Sequence, residues 1–404
     1  MAKSVEALVN PKMIVWARKK SGFDISGASK RMQVKPERLK AWEEGELRPT
    51  IKQAIKMAEL YRRPLSVFYL ESPPQDFSVA MTDFRRLSDA DEGDFSPELL
   101  LEIRKAQMRR EIMIEFLEED GDYSFSYLDS ISLIDNTEHV ARKVRDLLDV
   151  SWESQQRWYS PNDALNGWKE AIENLNVLVF HSAHQGITLD PSEAHGFSIS
   201  ESLFPVIVLN SKDVHRRRIF TLLHEFVHLL LDAGGVCDTW EYANAKNIAQ
   251  RTEVFCNQVA GAVLVPTSML MAHTILHSHN SQTEWSDEEI GALAQEFSTS
   301  TEVVVRRLLA LGLVTADFYE RKRQEYAKAW SKYKEEVKKD GRQGGPPHHR
   351  MVLRNNGKPF TRQIFSAYYD NKITLSDASD FLEAKIKHVK EMEKDLLATT
   401  GVGA

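Results

Sequence analysis

The stretch Phe220–Leu231, FTLLHEFVHLLL, reads as a helix that is apolar on almost every side, yet it carries two histidines and a glutamate. Positions four apart on a helix differ by roughly 40° in azimuth and about 6 Å along the axis. His224 and His228 therefore project from one face. A buried carboxylate or imidazole is costly without a partner, and three such groups among Leu222, Leu223, Phe226, Val227, Leu229 and Leu230 need one. A metal ion supplies it. Both imidazoles can place a ring nitrogen on Zn2+, and Glu225, turned about 100° round the helix from His224, stands where it can take a proton from an attacking water.

A catalytic zinc site usually has a third protein ligand. Asp232 continues the four-residue series but lies roughly 12 Å along the axis from His224, too far to share one tetrahedral ion. A metzincin continuation would need glycine at 231 and histidine at 234, where this chain has Leu231 and Gly234. The ligand must come from a second helix. AQRTEVFCNQVAGAVLVP, Ala249–Pro266, reads as one, with Glu253 and Asn257 on a shared face and Ala260 and Gly261 allowing close approach. Pro266 ends it. On spacing alone Glu253 reads first as a surface acid, and Asp238 and Glu241 are other acids nearby.

Ahead of the histidine helix the period changes. LNVLVFHS (Leu175–Ser182), GFSIS (Gly196–Ser200) and FPVIVLN (Phe204–Asn210) are short apolar runs suited to buried strands. Gly196–Ser200 is where an extended peptide would pair with a strand edge beside the site; an ordinary structural edge is the alternative.

With 404 residues, 42% hydrophobic and 27% charged, the chain has the composition of two or three globular domains, which excludes disorder throughout. No apolar run approaches the roughly 20 residues of a bilayer span, and the first residues lack the apolar core of a secretory signal. The expected compartment is the cytoplasm, with no membrane partner. Two cysteines, Cys237 and Cys256, cannot build a disulfide framework and read as small apolar residues. The net charge of -7 hides an asymmetry: Met1–Gln75 holds 15 Lys+Arg against 8 Asp+Glu. A basic segment in an acidic chain suits an anionic partner such as nucleic acid. A solvated charged face would give the same balance.

Pattern favours the first. Asn10-Pro11 starts a helix that ends near Gly22, Asp24 caps a second over Ile25–Met32, and after Gln33-Val34 a third runs over Lys35–Glu44, closed by Gly45. Two helices joined by a tight turn, inside a bundle of about five, form a helix-turn-helix. The segment resembles the lambda-repressor-like (XRE) helix-turn-helix family, most clearly in AWEEGELRPT (Ala41–Thr50) and LYRRPLSVFYL (Leu60–Leu70). In that family the third helix enters the major groove. The resemblance makes Lys35, Glu37, Arg38 and Lys40 the candidates for DNA contact, the cations toward guanine edges or phosphates and Glu37 toward a cytosine amino group. Leu39 and Trp42 fall in the core. Such bundles also dock proteins or dimerise, so a homodimer stands beside DNA as an expected assembly.

PVIVLN (Pro205–Asn210), RRRIFTLLHEFVHLLL (Arg216–Leu231) and EVFCNQVAGAVLVP (Glu253–Pro266) follow one another as strand, HExxH helix and glutamate-bearing helix. In that order they resemble the ImmA/IrrE metallopeptidases, over about Leu175 to Pro266. Cys256 stands where the family favours alanine, and Phe226-Val227 replaces its Leu-Gly; neither change touches a metal-binding atom. The resemblance implies Glu253 as third ligand beside His224 and His228, Glu225 as general base, and a gluzincin-like zinc endopeptidase. Its expected protein substrate is a regulatory partner, a repressor, antitoxin or toxin, in stress, phage or mobile-element control. Two other readings stand: a non-catalytic transcription regulator or antitoxin that uses the fold to sense or bind, and the toxin component of a toxin-antitoxin or phage-defence system. His195, Arg218 and Tyr242 are open as donors to the oxyanion.

The expected organisation is α+β and predominantly helical. A helix-turn-helix bundle covers 1–75, a linker 76–96, and a metallopeptidase domain with a small sheet 97–280, scaffolded by helices over Pro97–Glu119 and Thr137–Leu148. A helix-turn-helix-like element (Asp287–Val314), resembling the one that follows the peptidase in this family, and a long charged helix occupy 281–340. The second helix of that element starts without basic residues, which suits packing or substrate recognition rather than base reading. A Gly/Pro linker spans 341–350 and a tail of two or three helices 351–404. His273, His277, His279, His348 and His349 read as surface residues.

Overall fold

The structure is a computed structural model that describes residues 5–74, 95–117, 125–128, 130–182, 189–231, 236–237, 248–279, 284–340 and 347–399. Most of the expected 76–96 linker, residues 341–346 of the second linker, and Asp232, Asp238, Glu241 and Tyr242 lie outside the described residues. The chain divides into two units, Met1–Lys105 and Ala106–Ala404.

In the first unit α1 (Pro11–Lys20) starts under Asn10, whose side chain accepts from Lys12 N–H, and α2 (Ile25–Met32) starts under Asp24, which accepts from Gly27 N–H at 2.6 Å. Gln33 adopts φ 59 and turns the chain into α3 (Pro36–Glu43). This helix is one residue shorter at each end than the pattern predicts, because Lys35 and Glu44 are its caps. Gly45 follows at φ 77, a conformation that favours glycine. Thr50 and Gln53 cap α4 (Ile51–Tyr61) reciprocally, and a 3-10 turn, Leu65–Tyr69, closes the bundle. Its core includes Ile14, Leu39, Trp42, Tyr61 and Phe68. Arg18 forks onto Glu43 at 2.6 and 2.9 Å and donates to Phe23 O at 2.8 Å, which locks α1 to α3.

Further along come α5 (Pro97–Glu115), α6 (Thr137–Leu147), α7 (Trp152–Gln156), α8 (Pro161–Glu173), β1 (Leu178–Ser182), β2 (Gly196–Ile199), β3 (Val206–Asn210), α9 (His215–Leu230), β4 (Val236–Cys237) and α10 (Ile248–Leu264). After them lie α11 (Thr267–Met271), α12 (Thr274–Ser278), α13 (Asp287–Glu296), α14 (Thr301–Ala310) and α15 (Ala316–Asp340). The chain's last described elements are α16 (His348–Asn356), α17 (Lys358–Tyr369), α18 (Leu375–Phe381) and α19 (Ile386–Thr399). The fold is α+β and predominantly helical, as the sequence predicts.

The sheet has the order β1-β3-β2-β4, with β1 parallel to β3 and β2 antiparallel to both β3 and β4. Its first three strands are buried at every position, which is why they read as continuous apolar runs. Strand β2 is not a free edge along its whole length: β4 pairs with Gly196 and Phe197, and among the described residues only Ser198 and Ile199 lack a partner strand on that side. Helix α9 is buried without interruption from Arg218 to Leu230 and packs on α8, α10, β2 and β3. The tail has four helices rather than two or three, because Gly357 (φ 73), Asn371 (φ 57) and Glu383 (φ 51) interrupt it in the left-handed region.

Candidate metal centre

Two neighbouring helices bring the three candidate ligands together. His224 Nε2 and His228 Nε2 are 3.0 Å apart on α9, and Glu253 on α10 places Oε2 3.3 Å from His224 and Oε1 3.1 Å from His228. A tetrahedral ion with bonds of about 2.0–2.1 Å holds its ligand atoms roughly 3.3 Å apart. The spacing and the two-nitrogen, one-oxygen donor set therefore fit a metal ion, and the cluster could hold one. All three side chains are buried.

The depth of α10 is fixed at its C-terminal end. The last carbonyls of a helix have no partner within it; here Arg145 Nη1 donates to Val263 O at 2.8 Å, Gln155 Nε2 to Leu264 O at 3.0 Å, and Arg307 Nε to Val265 O at 2.9 Å. These donors come from α6, α7 and α14, so the surrounding scaffold holds the Glu253 helix against α9. Arg307 also donates to Thr267 Oγ1 at 2.6 Å. Helix α14 thus packs against the end of α10.

Glu225 is fully buried beside the cluster, and the Ser198 hydroxyl on β2 donates to its Oε2 at 2.7 Å. Its Oε1 has no hydrogen-bond partner. Burial raises the Glu225 pKa above the ordinary carboxylate value, although His228, His224 and the Ser198 hydrogen bond oppose it. Burial also works against charge on His228 and Glu253. For His228 it is outweighed by Cys256 and Glu253, which hold the imidazole pKa well above its usual value. For Glu253 it is outweighed by His228 and His224, which hold the carboxyl well below its usual range.

Sequence reasoning missed Ser198, because a serine in a short apolar strand carries no signal of its own, and it gave Cys256 no role although Cys256 lies against His228. Asn257, which shares a face with Glu253, has a buried amide with no hydrogen-bond partner and lines a cavity of about 590 Å³ with Arg306 and Tyr319. Of the oxyanion candidates, His195 is paired with Asp213 at 2.8 Å, and Arg218, with its pKa pushed down to about 10 by burial and by Arg354, belongs to a separate cationic cluster. In the first unit Lys35, Glu37, Arg38 and Lys40 are all exposed on and before the first turns of α3, while Leu39 and Trp42 are buried. The Arg38 guanidinium lies 5.8 Å from the Trp42 ring centroid.

Fold and site define a metallopeptidase-type domain preceded by a helix-turn-helix domain. Residues 172–309 match the IrrE N-terminal-like peptidase domain, and residues 14–68 match the helix-turn-helix family. The first match contains all three candidate ligands and Glu225, and it extends through α13 and most of α14. No curated protein matches the chain. Among the described residues no helix is long and apolar enough to cross a membrane.

Proposed function

We propose that the chain is a DNA-binding regulator fused to a zinc-dependent endopeptidase that cleaves a regulatory protein partner, a repressor or antitoxin-like protein. The observation that supports this reading is the convergence of His224, His228 and Glu253 within 3.0–3.3 Å beside a buried Glu225. Zinc held by those three residues would supply Lewis acidity toward a peptide carbonyl. The chain's own groups would do the rest. Ser198 holds one oxygen of Glu225, which leaves Oε1 to take the proton of the attacking water and return it to the departing amine. The raised pKa of Glu225 suits a group that must both accept and release that proton. An extended substrate would pair with β2 at Ser198 and Ile199, which have no partner strand on that side among the described residues.

In the first unit Lys35, Arg38 and Lys40 would face the nucleic acid, with phosphate contacts dominating affinity. The near-complete burial of the four site residues favours a second reading, a regulator that uses the metallopeptidase fold to sense or bind a partner. Mapping protein N-termini in cells that express the parent chain or Glu225→Gln separates the two. Cleavage predicts a new N-terminus in a regulatory protein that disappears with Glu225→Gln; identical N-termini in both cultures would overturn the peptidase reading.

A further inference from the structure

A second set of donor atoms meets where α16 packs on α19, on helices that play no part in the first centre. His349 Nδ1 lies 3.1 Å and His388 Nδ1 3.0 Å from the same atom, Glu391 Oε2. His388 and Glu391 are three residues apart on α19 and so share a face, while His349 comes from the first turn of α16. These spacings match the 3.0–3.3 Å separations at the α9–α10 centre.

The far side of His349 carries a second observation. Its Nε2 lies 3.3 Å from Asp395 Oδ2, and that carboxylate is held in turn by Arg350 Nε at 3.0 Å. An imidazole that gives one N–H to a carboxylate presents the other nitrogen as a lone pair, which is the usual outer arrangement around a metal-bound histidine. Nδ1, the other nitrogen of His349, faces Glu391 Oε2 at 3.1 Å, so an ion placed there would meet His349, His388 and Glu391 together. The His348 ring packs on His388 with centroids 4.7 Å apart, which restricts the second imidazole.

We infer that His349, His388 and Glu391 form a second metal site, with Asp395 orienting His349, that takes a divalent transition ion and ties the start of α16 to α19. Two imidazoles and one carboxylate suit zinc, nickel or copper rather than calcium or magnesium, which favour all-oxygen sets. The imidazoles are mostly buried while Glu391 is half-exposed, so an ion can enter from solvent. The site braces more than one helix pair. Helix α16 also packs on β1, where His181 Nδ1 lies 3.2 Å from Arg354 O, and Lys169 Nζ of α8 donates to the same oxygen at 3.0 Å, so occupancy would hold the C-terminal helices against the sheet.

Protons on both imidazoles would satisfy the same geometry, so the test is run at pH 8, above the ordinary imidazole range. Full-length protein is stripped with a chelator and titrated with zinc chloride against a chromophoric competitor. The parent is expected to bind two equivalents, His388→Ala and Glu391→Gln one each, Glu253→Ala one, and the Glu253→Ala/His388→Ala double variant none. Zinc should raise the melting temperature of Glu253→Ala and leave that of the double variant unchanged. His349→Gln, which keeps a polar group at the position, should also lose one equivalent. Unchanged stoichiometry in His388→Ala, Glu391→Gln and His349→Gln would overturn the site, and because Glu253→Ala reads the other centre, failure of either assignment is visible separately.

Discussion

Replacing Gly196 by alanine tests how tightly the sheet is pressed against the histidine helix. The φ of Gly196 is not in the left-handed region, so an alanine backbone is tolerated there and the obstacle is space. An added Cβ would lie 2.6 Å from Thr221 Cγ2, 2.8 Å from Val208 O and 3.7 Å from Glu225 Cγ. Carbon atoms prefer about 3.5–4.0 Å, so the first two neighbours must each move by roughly 1 Å. Neither is the tip of a flexible side chain. Val208 is fixed in the β2–β3 ladder, and Thr221 is a β-branched residue with a stiff χ1 inside a buried helix. Overpacking of this kind costs about 1–3 kcal/mol, offset by up to about 1 kcal/mol from the reduced freedom of an unfolded alanine. The expected net loss is about 1–2 kcal/mol, a factor of roughly 5–30 in the ratio of folded to unfolded chain.

Thr221 stands one turn before Glu225, so the Ser198–Glu225 hydrogen bond should be strained by the same displacement. Urea unfolding of the parent, Gly196→Ala, Thr221→Ser and the double variant gives the answer. Thr221→Ser removes the methyl group in the closest contact, and the double variant should recover part of the loss, with a coupling on the order of 1 kcal/mol. A Gly196→Ala protein as stable as the parent, or strict additivity in the cycle, would refute the reasoning.

Gln155→Leu should destabilise the larger unit by roughly 2–4 kcal/mol, since it takes the Gln155 amide from Leu264 O and Phe297 O and leaves Arg145 Nη1 with Val263 O alone; urea midpoints measure it. His181 is buried with its pKa well below the usual imidazole value, through desolvation and then the nearby cations Lys169, Arg218 and Arg354. The unfolded chain takes up a proton at this residue as pH falls through about 6.5 while the folded chain does not. Its stabilising contribution is therefore complete above that pH and declines below it, by up to about 1.4 kcal/mol per pH unit. His181→Gln should flatten the acid limb of stability against pH between 6.5 and 5.5, and an unchanged limb would show that the residue titrates normally. Lys35→Ala and Lys40→Ala should each weaken duplex DNA binding in fluorescence anisotropy and lower the salt slope by about one. Equal slopes would remove α3 from the interface.

The parts of the site that were legible in the sequence are those set by one helix. His224, Glu225 and His228 share a turn and a half of α9, so their mutual placement follows from helix geometry before any tertiary contact forms. Glu253 lies on another helix, and its acidity alone does not separate it from a surface residue; the likeness of the whole strand-helix-helix run was needed. Ser198 reaches Glu225 only because β2 packs on α9, a contact with no local pattern. The helix-turn-helix was readable from its punctuation: Asn10, Asp24, Gln33 and Gly45 mark its ends, and the structure adds the Thr50 cap of α4. Helix α8 was passed over despite its Ser160-Pro161 start, because its apolar positions Ala164, Leu165, Trp168 and Ile172 run straight into the strand region. In the tail Asn371 and Glu383 adopt left-handed φ without a glycine to signal it, so helices that read as continuous are divided.

Elemental analysis of the purified chain beside Glu253→Ala and His228→Ala bears most directly on the proposed centre. The account predicts that each variant holds one zinc equivalent fewer than the parent. Equal zinc content in all three proteins would contradict it.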